Sequence, residues 1–134
     1  MDKRLVDTNL IVRYVEQDHD HHTEIAARLF EKCDRGEIIL VLLPAVVAEC
    51  VFVLESIYGR ERQKIADALT SFIESPGIQL AETAIHADAL RRYGKGKLHF
   101  VDCMLAAVAA AGDIPVATFD AGFKKFSDVR VELG

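Results

Sequence analysis

An α/β fold on a mostly parallel sheet is predicted by three features of this sequence. Short apolar runs alternate with stretches whose apolar residues recur at helical spacing. The runs are continuous rather than alternating in and out, which is the pattern of strands covered on both faces. The third feature is size and composition: 134 residues, 51% hydrophobic and 28% charged, with three prolines. That suits one compact domain with a sizeable core, and disorder is not expected. We therefore expect a single domain over residues 1–134, with no repeat and no linker.

The elements follow in order. Leu5-Val6 begins a strand that ends at Asp7, and Leu10, Ile11, Tyr14 and Val15 then mark a helix that Thr8 or Asn9 caps. After the polar break Gln17-Asp18-His19-Asp20, the positions Ile25, Ala26, Leu29 and Phe30 give a second helix, closed by Asp34-Arg35-Gly36. Ile38 to Leu43 reads as a strand, and Pro44 suits the first turn of the helix after it. Gly59 ends that helix. Ile65, Ala66, Leu69, Phe72 and Ile73 form the face of another, and Pro76-Gly77 turns the chain. Ile78 to Leu80 is a third strand, Thr83 to Tyr93 a helix, Phe100 to Ala111 a very apolar helix, Val116 to Phe119 a fourth strand and Val129 to Leu133 a last one.

Several function classes are disfavoured by composition. The longest uncharged apolar run, Ile38 to Ala48, is interrupted by Pro44 and too short to span a bilayer. The N-terminus lacks the long apolar core of a signal peptide, so a cytoplasmic protein without membrane contact is expected. Cys33, Cys50 and Cys103 are odd in number and form no C-x-x-C pair, so they read as reduced core thiols. A net charge of -5 argues against holding nucleic acid by bulk positive charge. Local basic clusters remain: Arg60, Arg62 and Lys64; Arg91, Arg92, Lys95 and Lys97; and Lys124 with Lys125. The histidines in "HDHH", His19 to His22, read as a solvated turn and cap rather than a transition-metal site. His99 reads as a residue at the start of a helix, and His86 carries no signal.

Four acids stand out. Asp7 and Asp120 sit where strands end, and in open α/β sheets the ligand site lies outside the carboxyl ends of the strands. Glu49 falls about one and a half turns into its helix, inside "AVVAECVFVL", and Asp102 lies inside "FVDCMLAAVAAA". An ionised carboxylate taken out of water must be protonated, paired or bound to a cation. No Lys or Arg lies within the apolar runs, so a divalent metal is the simplest common partner. Carboxylate oxygens alone suit a hard ion, Mg²⁺ or Mn²⁺, rather than zinc.

The "VDTN" at Val6 to Asn9, the glutamate in "AVVAECVFVL", the "HFVDCMLAAVA" around Asp102 and the "VATFDAGFKKF" around Asp120 together resemble a PIN domain, and specifically a VapC-type toxin ribonuclease. The resemblance covers nearly the whole chain. It implies a PIN-like three-layer α/β/α fold with a mostly parallel four- to five-stranded sheet. It also implies a metal-dependent endoribonuclease, the toxin of a type II toxin-antitoxin pair, whose Asp7, Glu49, Asp102 and Asp120 hold Mg²⁺ or Mn²⁺. Thr118 matches a Ser or Thr that orients a carboxylate or water, and Asn9 a small polar residue that braces the site. The partners so implied are an RNA substrate, a small antitoxin that covers the active-site groove, and a second copy of the chain.

Leu40 to Leu54 and Phe100 to Ala111 are apolar around most of the helix circumference, which points the same way, towards a homodimer. Arg91, Arg92, Lys95 and Lys97 immediately precede the helix carrying Asp102 and are the expected phosphate contacts. Two other readings compete. A catalytically silent PIN-fold interaction module predicts no metal-dependent cleavage. A phosphorylation-dependent receiver domain needs an adjacent acid pair after strand one, where Asp7 is followed by Thr8, and a phospho-accepting Asp after strand three, where "LAETA" stands.

Overall fold

Asp7 starts the first helix itself, and this places the first acid. The computed structural model describes residues 2–17 and 21–133. Strand β1 (Lys3–Leu5) leads into α1 (Thr8–Glu16), whose N-cap is Asp7, not the expected Thr8 or Asn9: its Oδ1 accepts the Leu10 N–H at 3.0 Å. Aspartate is among the best N-caps because its oxygen satisfies an orphan amide, and here it does so from the end of a strand. Helix α2 (His21–Asp34) follows, with His21 and His22 exposed in its first turn, while His19 lies outside the described residues.

Strand β2 (Ile39–Leu42) runs into α3 (Pro44–Ser56) with Pro44 in the first turn, as expected. The apolar stretch from Leu40 is thus a strand followed by a helix. Helix α4 (Arg62–Ile73), strand β3 (Ile78–Leu80), α5 (Thr83–Lys95) and α6 (Phe100–Gly112) match their predicted positions closely. Between α4 and β3 the turn requires Gly77: its φ is 82°, and a Cβ there would stand 2.5 Å from the Cys33 sulfur.

Both terminal strands are shorter than predicted. Strand β4 is Val116–Ala117 and β5 is Val131–Glu132, with a 3-10 turn, Ala121–Lys125, between them. Thr118 still donates its N–H to the Glu132 carbonyl at 3.1 Å, but Phe119 leaves the ladder because Asp120 turns the chain. All the pairings are parallel, in two pieces ordered β1-β2-β3 and β4-β5.

The core has two parts, and α6 joins them. The larger is built from Val6, Leu40, Leu42, Leu54, Leu69, Leu90, Tyr93 and Phe100 among others, and takes Cys103 and Ala107 from α6. The smaller holds Val116, Phe123 and Val129 with Ala106 and Ala109. Alanines and a cysteine let α6 lie close to both, so Asp102 in its first turn is held by packing on two sides.

Candidate functional site

An acid embedded in an apolar run reads as a buried acid, and the structure corrects that for three of the four. Asp7, Glu49 and Asp120 are exposed and Asp102 is half-buried. The reason is position: two lie just past strand ends, and Glu49 lies on the outward side of α3, where the adjacent Cys50 turns into the core. The apolar runs bury their other residues.

Each acid has a defined local setting. Asp7 is held by its cap bond to Leu10. Asp120 caps the 3-10 turn, with Oδ1 accepting the Gly122 N–H at 2.8 Å. Asp102 is the third residue of α6, where the helix N-terminus favours negative charge. Thr118 acts on the chain: its Oγ1 accepts the Asp120 backbone N–H at 2.9 Å, which fixes the turn that carries the acid. The family resemblance instead has that hydroxyl facing a carboxylate or water. Asn9 is exposed in the first turn of α1.

The charges meet in two places. Burial, then the charges of Glu49 and Asp7, push the Cys50 thiol up to about 12. Those two acids, forty-two positions apart by number, therefore flank one buried sulfur. The Cys103 thiol is pushed up to about 11 by burial, which outweighs the lowering by Arg62 and Arg92, with Asp102 adding to the rise. Among the described residues no three Asp, Glu, His or Cys side chains stand close enough to share one ion. Like charges on these side chains repel, and Oδ1 of Asp7 and of Asp120 is turned to its cap. The donor set nonetheless fits a hard cation in kind. A carboxylate offers about four lone-pair positions, so a single capping bond leaves acceptor capacity on each acid.

The basic residues divide sharply. Arg92, expected as a phosphate contact, is 5% exposed and committed elsewhere: Nε donates to Asp88 at 2.9 Å and the two terminal nitrogens fork onto Asp128 at 3.0 and 2.5 Å. It is a structural arginine that ties α5 to the segment before β5. A buried guanidinium needs paired carboxylates, and two are supplied. Arg91 is exposed in an i,i+3 pair with Asp88, and Lys95, Lys97, Lys124 and Lys125 are exposed.

Arg62 gives a second correction to the surface reading of basic clusters. It stacks 3.8 Å over the Tyr93 ring and donates to the Tyr93 and Leu98 carbonyls, so it clamps the end of α5 to the segment that opens α6. The Tyr93 hydroxyl donates to Glu55, and burial with that bond pushes its pKa up. Glu55 and Tyr93 line a cavity of about 260 Å³ between α3 and α6, with His99 and Phe52 on its wall. None of the four acids lines it, so this cavity is a neighbour of the carboxylates rather than their site.

One candidate has no signal of its own in the sequence. Phe119 reads there as the end of a strand, yet its ring is 90% exposed beside Asp120.

Known proteins are similar to this chain. A family profile described as PIN domain matches residues 4–129, a span that takes in all four acids. VapC ribonuclease Mb2004c of Mycobacterium bovis is 36% identical over 121 residues, 84% of this chain and 81% of that protein. Ribonuclease VapC36 of Mycobacterium tuberculosis matches at the same identity and coverage. A solved structure, Mycobacterium tuberculosis VapC20, described as a Sarcin-Ricin loop cleaving toxin, aligns over 94% of this chain and 98% of its own at 20% identity, with a TM-score of 0.41.

Proposed function

The chain belongs to the PIN domain family, and from that premise we propose that it is a metal-dependent endoribonuclease, the toxin of a type II toxin-antitoxin pair. The observation that carries this reading is the 36% identity over 84% of the chain to proteins named as VapC ribonucleases. The carboxylates at the ends of β1 and β4 and on the two apolar helices add the chemistry.

Hydrolysis of a phosphodiester needs an activated water, compensation of charge on the phosphate and help for the leaving oxygen. A bound Mg²⁺ or Mn²⁺ supplies these. In this reading Asp7, Glu49, Asp102 and Asp120 hold the ion. The two caps fix the backbone from which Asp7 and Asp120 act, and Thr118 fixes the turn of Asp120; Asn9 is assigned a bracing role by the family resemblance alone. Lys95, Lys97 and Arg91 bring the polyanion to an acidic protein. Arg91 is exposed, and its pair with the half-buried Asp88 is weak enough to yield to a phosphate.

The partners follow from the same premise: an RNA substrate, a small antitoxin and a second copy of the chain. Phe52 on α3 and Val101 and Leu105 on α6 are exposed and contribute to cavities on that side of the molecule. Apolar surface of this kind marks protein contacts. Among the described residues no helix is long and apolar enough to cross a membrane. The toxin reading, not that absence, places the protein in the cytoplasm.

The test is RNA cleavage by the purified chain with Mg²⁺ or Mn²⁺, with EDTA, and by Asp7→Asn and Asp102→Asn variants. Cleavage that needs metal and both acids is expected. Undiminished cleavage by both variants sinks the metal site, and no cleavage under any condition favours the silent interaction module.

A further inference from the structure

Building on the ribonuclease reading above, we propose that Phe119 is a substrate-positioning residue whose ring stacks on a nucleobase of single-stranded RNA beside the scissile phosphate. Its exposure, 90%, is the greatest among the large exposed apolar side chains of the described residues. The small core beneath takes Phe123 and part of Phe126 and leaves Phe119 in solvent.

The backbone that presents this ring is tied down on both sides. Thr118 donates its N–H to the Glu132 carbonyl at 3.1 Å, the Asp120 N–H donates to Thr118 Oγ1 at 2.9 Å, and the Gly122 N–H donates to Asp120 Oδ1 at 2.8 Å. A ring on a fixed turn needs little further ordering to receive a ligand.

Its neighbours select the ligand. Asp120, one of the proposed metal ligands, is the next residue. A Cβ on Gly122 would meet Leu98 at 2.7 Å, so the turn sits directly on the segment that carries Lys95, Lys97 and His99. Lys124 and Lys125 are exposed in the same turn. An aromatic face on a turn that carries lysines is the combination that binds single strands: the cations follow the phosphates and the ring takes a base. A protein partner would be better served by apolar neighbours, whereas Thr118 and Asp120 stand on either side of Phe119 in the chain.

The experiment uses the full chain and short single-stranded RNAs in which 2-aminopurine is walked through each position. Binding is measured in EDTA and cleavage with Mg²⁺ or Mn²⁺. The parent should quench 2-aminopurine at one position. Phe119→Ala should lose that quench and bind roughly 5- to 150-fold more weakly, the loss expected for one base–aromatic stack. KM should rise while kcat holds. Phe119→Tyr and Phe119→Trp should restore both quench and affinity, and Phe119→Leu, which keeps apolar bulk without a π face, should not.

Parent-like affinity and quenching in Phe119→Ala overturn the proposal while the ribonuclease reading stands. A shift in oligomeric state with unchanged RNA binding assigns the ring to a protein contact and overturns it too. A parent chain that neither binds nor cuts RNA overturns the ribonuclease reading itself, and the proposal with it.

Discussion

Helices α3 and α6 carry the same short pattern, an acid followed by a cysteine, and surround it with opposite charge. On α3, Glu49 faces solvent and Cys50 the core, and the nearby charge that acts on the thiol with Glu49 is another acid, Asp7. On α6, Asp102 and Cys103 repeat the arrangement, but Arg62 and Arg92 lie within reach and pull the Cys103 thiol down. Cations of the protein's own thus act on the α6 thiol, whereas both charges acting on the α3 thiol are acidic.

The comparison breaks most visibly at the acids. Glu49→Gln and Asp102→Asn should each reduce RNA cleavage by more than about a hundredfold, since even supporting residues around a metal cost roughly 10- to 100-fold. Thermal melting should move little, because Glu49 is exposed and Asp102 half-buried and surface changes stay within about 0.5 kcal/mol. A cleavage rate that survives either substitution would show that the two helices do not act on one centre.

Next in size is the pairing of Arg92, the buried cation near α6. Arg92→Met removes a buried guanidinium with its bonds to Asp88 and Asp128 and its place over the Phe126 ring, and should cost about 1–3 kcal/mol. The figure sits below that of a fully buried pair because the Asp128 side chain is 55% exposed and rehydrates. The pair also has a pH signature. The hydrogen bond from Arg92 holds the Asp128 carboxyl below its usual value, so the contribution is present above the unfolded pKa of about 4 and fades as pH falls through the lower folded value. Urea melts should therefore separate parent from Asp128→Asn at pH 7 more widely than at pH 3. An equal gap at both pH values would show that the Arg92–Asp128 pair contributes nothing to stability.

A smaller effect separates the two jobs of Asp7. Asp7→Ala should lose about 1 kcal/mol with its capping bond, whereas Asp7→Asn keeps an oxygen for Leu10 and loses cleavage alone. Equal melting of the two variants would mean that the cap contributes nothing. RNA binding then tests the exposed lysines: replacing Lys95 and Lys97 by Ala should lower the salt slope by about 0.7 for each single-strand phosphate that the protein no longer neutralises. An unchanged slope would move the phosphate site to Lys124 and Lys125.

The smallest effect concerns the thiols. With burial pushing Cys50 up to about 12 and Cys103 to about 11, both should resist alkylation in the native state at pH 8. Mass spectrometry after timed iodoacetamide treatment reads this, and prompt modification of either thiol in the folded protein would contradict its burial.

The sequence by itself determined the element order, because helical spacing and continuous apolar runs are local properties. It placed Ile78–Leu80 to the residue, and α3 and α6 to within a residue or two at their ends. It also determined the parallel pairing and, through the four motifs, the family. Only the tertiary structure decided which charges are spent and which are offered. Arg91 and Arg92 are adjacent and chemically alike in the sequence, yet one is exposed and the other buried against Asp128, a partner thirty-six residues away. Asp7 and Glu49 both act on the Cys50 thiol for the same reason, since β1 and β2 pair in register and deliver both acids to one end of the sheet. Phe119 reads as the end of a strand until the capping bond of Asp120 turns the chain and leaves its ring in water. Burial and pairing are set by contacts between distant segments, and composition and spacing carry no record of them.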